Sequence, residues 1–389
     1  MSKIINSPKK NKNIPFFIPK ITKDDQKKML EIFNSSILTN GPNTEKFEKI
    51  FAKFTNSKYA TAVSNATSAL HLSLMSLGIG KNDEVIVPNM TFLATANSVL
   101  MAGAIPVLAD VNYFDHNINI NSIKNSITKK TKAIIPVHLA GKSCKMDDIV
   151  KIAKKNHLYI IEDCAHAIGT KFKKRHVGTF GEAACFSFYP TKNITTLEGG
   201  MIISNSKKIS DTTKISRNHG ITRTLKERYT IGHPWEYDVK ESGYNYRMDE
   251  IRAVLGINQL KRIKNINSIR RKSFKYYCQQ LFNIDGLELP NTDNLNDNAC
   301  HLFRINIDEK KFGQNRNTVF EKLLKKNIST SVHYKPLNLF TLFKKKSKIY
   351  SPLKNSLKIY EQTLSLPFYT GITQNEQDVV VNALKSIKN

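Results

Sequence analysis

From about Tyr59 onward the chain alternates short β-rich runs with helix-length stretches, and nothing else in the sequence constrains the fold as strongly. The runs are EVIVP (84–88), AIPVLADV (104–111), AIIPVHL (133–139), LYIIED (158–163), CFSFY (185–189) and GGMIISN (199–205), with segments such as SALHLSLMSLG and DDIVKIAKKNH between them. Strands and helices taken in turn build a largely parallel sheet covered on both faces. Only about nine residues separate the last two runs, too few for a parallel crossover, so that pair is expected to be antiparallel. Ahead of the first run, GPNTEKFEKIFAKFTN sets Phe47, Ile50, Phe51 and Phe54 on one face of an amphipathic helix. Beyond the last, residues 248–281 read as one long helical pattern.

A chain of 389 residues exceeds one ordinary core. The division is expected near the long helix, with a large domain over residues 1–265, including a polar arm over 1–20, and a smaller C-terminal domain over 266–389. The formal charge of +28 raises the question of nucleic acid, but the 60 Lys and Arg residues are scattered along a chain rich in Lys, Asn and Ile throughout. Scattered charge binds phosphate backbones without specificity, so no nucleic-acid partner is expected. The five cysteines are widely spaced and form no C-x-x-C pair, which points to small buried thiols in a reducing compartment and to no metal centre. The N-terminus lacks the apolar core of a signal peptide, and the most apolar window, 91–111, is broken by Asn97, Gly103, Pro106 and Asp110. A cytoplasmic protein without a membrane partner is the expectation.

In an open α/β sheet, ligands gather at the carboxyl ends of the strands. Ser64-Asn-Ala-Thr-Ser-Ala-Leu70 feeds small polar residues into an apolar helix, where free N–H groups and the Thr67 hydroxyl could hold an anion, or where Ser64 or Thr67 could act as a plain N-cap. Asp163 ends an apolar run with His166 three residues on. Lys192 stands alone after CFSFY, with Ser187 five residues before it. An amine that forms a Schiff base must shed its proton near neutral pH, which calls for partial desolvation beside other positive charge. Ser242-Gly-Tyr-Asn-Tyr-Arg-Met248 is a glycine-hinged aromatic and polar cluster before the long helix. Each feature taken singly has an ordinary structural explanation: a cap, a satisfied histidine, a solvated lysine or a helix-entry loop. Together with Phe92 in PNMTFLATAN they are the parts that hold pyridoxal 5′-phosphate.

The segments TNGPNTEKFE, SNATSALHL, PNMTFLATANSVLMAGAIPVLADV, IIEDCAHAIGTKFKKRHVGTFGEAACFSFYPTKNITTLEGGM, RNHGI and GYNYRMDEIRAVLGINQL, in this order, resemble the DegT/StrS sugar aminotransferases of the fold type I pyridoxal-phosphate enzymes. The resemblance implies a mostly parallel, mixed seven-stranded sheet between helices and a smaller C-terminal α+β domain. It implies that Lys192 binds the cofactor aldehyde, that Asp163 pairs with the pyridine nitrogen, that His166 lies near the phenolic oxygen and that Phe92 stacks on the ring. Ala66, Thr67, Ser187 and Asn245, the last from a neighbouring subunit, would hold the phosphate of a homodimer with shared sites. Two departures stand out: Asn65-Ala66-Thr67 replaces Ser-Gly-Thr, so the backbone there must avoid positive φ, and Gly141-Lys-Ser-Cys-Lys-Met-Asp147 lacks the family's proline and first aspartate.

By the same resemblance the reaction is a ping-pong transamination in which L-glutamate gives its amino group to a nucleotide-linked 4-keto-6-deoxy sugar. The run HGITRTLKERYTIGHPWEYDVKESGYNYRM and Ser331-Val-His-Tyr334 look most like members acting at C4, with C3 as the alternative. Thr39, His219, Arg247, His333 and Tyr334 are the candidates for the sugar pocket. A sugar dehydratase of this family would carry histidine in place of Lys192. A non-catalytic regulator on the same scaffold would be expected to lack Lys192 or Asp163.

Overall fold

The structure, a computed structural model, describes residues 13–223, 227, 232–239 and 241–388. The first twelve residues of the expected N-terminal arm, and residues 224–226, 228–231 and 240 of the run read for the aminated carbon, lie outside the described residues.

Twelve strands are described: β1 (Tyr59–Val63), β2 (Glu84–Pro88), β3 (Ile105–Ala109), β4 (Thr131–Ile134), β5 (Tyr159–Asp163), β6 (Lys171–Phe172), β7 (Arg175–His176), β8 (Ala183–Ser187), β9 (Gly200–Ser204), β10 (Leu287–Glu288), β11 (Phe303–Ile307) and β12 (Thr363–Leu366). Seven form one sheet in the order β1-β9-β8-β5-β4-β2-β3. β3, β2, β4, β5 and β8 run parallel, while β9 is antiparallel to both β8 and β1, as the short connection requires. β2 and β9 are buried at every position, so their apolar runs are continuous rather than alternating. The run at 133–139 is shorter as a strand than its sequence suggests: β4 ends at Ile134, and His138 already belongs to a turn.

The helix Pro42–Thr55 buries Phe47 and Phe51, with Ile50 and Phe54 partly covered, and ends on Asn56 in the left-handed conformation. Phe51 meets Phe186 of β8 edge to face at a centroid separation of 5.0 Å. Phe47 lies against Gly256 of the helix Glu250–Lys261 so closely that a Cβ there would fall 2.5 Å from the ring. A mid-helix glycine costs roughly 1 kcal/mol relative to alanine, and here the close approach of the ring requires it.

The long helical pattern is two helices, Glu250–Lys261 and Ile263–Leu281, with the break at Arg262. No proline or glycine marks the break. Arg262 instead sends its guanidinium to the buried Asp25 carboxylate at 2.6 and 2.7 Å, which ties the joint to the helix Lys23–Glu31.

β10, β11 and β12 make a small antiparallel sheet backed by the helix Gln374–Ile387, with Phe303, Ile305 and Ile307 turned into its core. The alternate residues, Arg304 and Asn306, face His116 of the large sheet's loops. The chain between them does not stay with this small sheet. Leu337, Phe343 and Leu353 pack into the core of the large one, and Lys348 pairs with the edge strand β3 through Leu108 N–H to Lys348 O at 2.8 Å. The Lys348 ammonium and the Tyr350 hydroxyl both donate to Glu84 Oε1 at 2.8 Å. Among the described residues no helix is long and apolar enough to cross a membrane.

Candidate active site

The carboxyl ends of β1, β5 and β8 lie on the same side of the sheet, with Asp163 of β5 opposite Cys185 of β8. Ser187 and Val63 both pair with Gly200 across the sheet, so the end of β8, the start of β9 and the end of β1 meet at one point. A Cβ on Gly200 would lie 2.5 Å from the Asn65 carbonyl carbon and oxygen and 2.8 Å from Ala66 N. The Ser64–Ala66 turn therefore rests directly on β9, and only glycine permits it.

Asn65, rather than Ser64 or Thr67, caps the helix Ala66–Ser76 by accepting from Ser68 N–H at 2.8 Å. That leaves the Ala66 and Thr67 N–H groups and the Thr67 hydroxyl without an acceptor among the described residues, at the positive end of a helix dipole. Ala66 begins the helix with ordinary backbone angles, which is why alanine can stand where the family has glycine. Free N–H groups at a helix start suit an anion such as a phosphate, and Ser187 reaches the same point through its pairing with Gly200.

Asp163 is buried at the end of β5. Its Oδ2 accepts from the Thr95 hydroxyl at 2.9 Å and its Oδ1 from Ala165 N–H at 3.1 Å. Burial still raises its pKa above the usual carboxylate value, because these two bonds and the charge of Lys192 do not make up for lost solvation. A cationic ring N–H is the partner such a carboxylate lacks. Lys192 follows in the turn after β8, its N–H held by Tyr189 O at 2.9 Å. Desolvation brings its amine down to about 8, against the pull of Asp163. Of the two conditions for a reactive amine, then, burial is the one that operates on it.

His166 is buried beside them. Ala140 N–H donates to its Nδ1 at 3.3 Å, and its Nε2 faces the Tyr334 hydroxyl at 3.1 Å. Burial, then Lys192, His333 and Arg304, hold its pKa well below the ordinary value, so the ring is neutral and its one proton sits on Nε2. The Tyr334 ring also approaches Phe92, centroid to centroid 6.0 Å, and 57% of Phe92 is exposed on the cleft wall. His333 is bonded through Nδ1 to the Ser365 hydroxyl at 2.9 Å, and burial, with Lys192 and Arg304, lowers it to about 3.

Asn245, Arg247, His219 and Thr39 form a second group. Asn245 bridges Asn218 and is exposed, Arg247 donates to Asn218 Oδ1 at 2.7 Å, His219 N–H donates to Tyr244 O, and Thr39 bridges Asp249. Ser64 N–H, donating to Tyr246 O at 2.8 Å, fastens this group to the phosphate turn. No described contact joins it to Lys192.

Sequence reasoning passed over Thr95, Asn193 and His301. Thr95 lies three residues from Phe92 in the same segment and was legible only as an ordinary helix residue. Asn193 Oδ1 accepts from His301 Nδ1 at 3.1 Å, and the His301 ring lies 4.3 Å from that of His166, so the residue next to Lys192 braces the histidine. His138, Glu162 and Cys164 also cluster within 4.8 Å, but Glu162 is fully engaged by His138 and by the N–H groups of Gly178, Phe180 and Gly181. That group is a strut beneath the site, its bonds already made.

The anion cradle, the buried acceptor, the depressed lysine and the exposed aromatic face fit pyridoxal 5′-phosphate. The model of the DegT/DnrJ/EryC1/StrS aminotransferase family matches residues 19–385. The chain is 36% identical over 381 residues to the spore coat polysaccharide biosynthesis protein SpsC of Bacillus subtilis, covering 97% of this chain and 98% of that one. Among solved structures it resembles PseC of Helicobacter pylori, an aminotransferase involved in the biosynthesis of pseudoaminic acid, with TM-score 0.88 and 30% identity over 97% of this chain and 99% of that one. It also resembles the putative sugar aminotransferase Spr1654 of Streptococcus pneumoniae in its PMP form, with TM-score 0.89 and 29% identity over 96% of this chain and 99% of that one; Spr1654 is known in a PLP form as well. The chain thus belongs to the DegT/DnrJ/EryC1/StrS aminotransferase family and is a fold type I transaminase whose cofactor is pyridoxal 5′-phosphate.

Proposed function

We propose that this transaminase moves the amino group of L-glutamate onto C4 of a nucleotide-linked 4-keto-6-deoxy sugar during amino-sugar biosynthesis. The observation that carries the reading is Lys192, an amine brought down to about 8 in the cleft that also holds Asp163 and the free N–H groups of Ala66 and Thr67. The sugar is supported by relatives whose names place them in polysaccharide and pseudoaminic acid biosynthesis.

The bound cofactor supplies an aldehyde that carries the amino group and a pyridinium ring that takes up electron density when a Cα proton leaves. The Asp163 carboxylate holds the ring nitrogen protonated, with Thr95 fixing its orientation. Ala66, Thr67 and Ser187 would hold the phosphate, with Phe92 and His166 beside the ring. The neutral Lys192 amine takes the donor's Cα proton and returns one when the sugar is aminated. Thr39, His219, Arg247 and His333 line the sugar side, and basic surface attracts the anionic nucleotide.

Asn245 serves the phosphate of a second subunit, so the working unit is a homodimer. Its support is the exposure of Asn245 together with exposed apolar side chains at Leu30, Phe33, Ile37 and Leu38. Incubation of the purified enzyme with glutamate and a panel of UDP-, dTDP- and GDP-4-keto sugars, read by product mass and by the position of the new amine, tests the whole reading. Absence of any aminated sugar in the panel would overturn it.

A further inference from the structure

Lysines that lie scattered along the sequence converge in space. β2, β3, β4, β5 and β8 run parallel, and β1 shares their direction through β9, so all six begin at the end of the sheet where β9 finishes. Lys58 precedes β1, Lys81 precedes β2, Lys129 and Lys130 precede β4, and Lys154 and Lys155 precede β5; each is exposed. Lys207 and Lys208 follow β9, and Lys58 N–H donates to Asn205 Oδ1 at 2.9 Å, which fastens the β1 and β9 ends together. Glu84 N–H likewise donates to Lys130 O at 2.9 Å, so the β2 and β4 ends meet. The segment through Lys348 runs parallel to β3, which sends the exposed Lys344, Lys345 and Lys346 toward this same end.

The carboxylates at this end are already engaged. Asp83 Oδ2 accepts from Gly80 N–H at 3.0 Å, Glu182 Oε2 accepts from Ile160 N–H at 2.7 Å, Asp211 pairs with Lys207, and the buried Glu84 takes Lys348 and Tyr350. Of these lysines only Lys207 and Lys348 have a carboxylate partner among the described residues. Seven strands side by side make the lysine-bearing end about 30 Å wide. Ala66, Asp163 and Ser187 stand at the other end of five-residue strands, roughly 17 Å away.

We propose that the end of the large sheet at which the parallel strands begin docks on an anionic phospholipid surface, leaving the end that carries Asp163 turned to solvent. Such docking is peripheral and calls for no membrane-spanning segment. Every basic side chain in the row is a lysine, a compact charge that suits a diffuse anionic surface, whereas readout of nucleic acid favours the arginine fork. Tyr159, 40% exposed at the start of β5, and the exposed Leu342 and Ile349 beside the lysine run add aromatic and apolar groups suited to the headgroup layer. Attraction of this kind acts within about 10 Å at 0.1 M salt, so it requires the charges on one face, as they are here, rather than a high net charge spread over the whole molecule.

Co-sedimentation of the holoenzyme with vesicles tests this without turnover. Binding is expected to vesicles of equal parts phosphatidylcholine and phosphatidylglycerol, to be absent with phosphatidylcholine alone, and to fade as salt is raised. Lys58→Glu, Lys81→Glu, Lys129→Glu and Lys130→Glu together should lower the bound-to-free ratio at least about tenfold, with Tm unchanged, while arginine at the same four positions should preserve it. The same number of reversals on the small domain, Lys310→Glu, Lys311→Glu, Lys325→Glu and Lys326→Glu, gives an equal net charge and should change the ratio by less than about twofold. An equal loss for both sets would show that net charge and not this face is responsible, and would overturn the proposal. Retention on duplex DNA as tight as on the vesicles at the same salt would overturn it as well, in favour of unselective polyanion binding.

Discussion

Thr95 donates its hydroxyl to Asp163 Oδ2 at 2.9 Å, across 68 residues of sequence, and Thr91 in turn contacts Thr95 at 2.9 Å. The carboxylate is thereby fixed before any ligand arrives. Replacing Thr95 with Val keeps the shape and removes the donor, leaving a buried carboxylate less satisfied. Cofactor affinity is expected to fall about tenfold, the equivalent of roughly 1.4 kcal/mol, with Thr95→Ser restoring most of it. Equilibrium titration with pyridoxal phosphate, followed by absorbance, reads the change.

In its proposed role Lys192 captures the cofactor through its neutral form. Because its amine has been brought down to about 8, the neutral fraction grows as pH rises toward that value and falls about tenfold for each unit below it. The rate at which apoenzyme develops colour should follow this curve and level off above about pH 8. Lys192→Ala should stay colourless at every pH. A rate that does not change with pH would contradict the assignment of this amine.

Gly200→Ala drives a methyl group into the Asn65 carbonyl. A destabilisation of about 1–3 kcal/mol is expected for such overpacking, seen as a lower Tm. The turn that must shift is the one proposed to hold the phosphate, so affinity for pyridoxal phosphate should drop by more than affinity for pyridoxal. Equal loss for both would show that the turn does not hold the phosphate.

Asn245 and Lys192 are expected to act in the same site from different subunits. Lys192→Ala and Asn245→Ala chains, each of low activity alone, should regain activity when refolded together, since a mixed dimer then carries one site with both residues intact. Assay against mixing ratio distinguishes this from a residue that acts within its own chain, for which mixing gives no gain.

The strands were legible because burial on both faces leaves no polar alternation to misread, and the reversal of β9 followed from the length of the loop before it. The helix break at Arg262 left no local sign, since its cause is a carboxylate at Asp25, more than two hundred residues away. In the same way, Ser64 and Thr67 are the caps the sequence suggests, whereas the structure uses Asn65, whose carbonyl rests against Gly200. Lys192, Asp163 and Thr67 were readable as residue types at strand ends. Thr95, His301 and the link from His166 to Tyr334, 168 residues apart, depend on tertiary approach and have no spacing that announces them.

The pairing of Lys348 with β3 gives the last part of the chain a task for the first. β3 is an outer strand of the seven-stranded sheet, with its neighbour β2 on one side and the Lys348 segment, bonded through both its N–H and its carbonyl, on the other. An uncovered strand of this kind invites pairing with other molecules. During synthesis that flank stays open until residue 348 has left the ribosome, so chains cut short before it should aggregate even though every strand of the large sheet is already present.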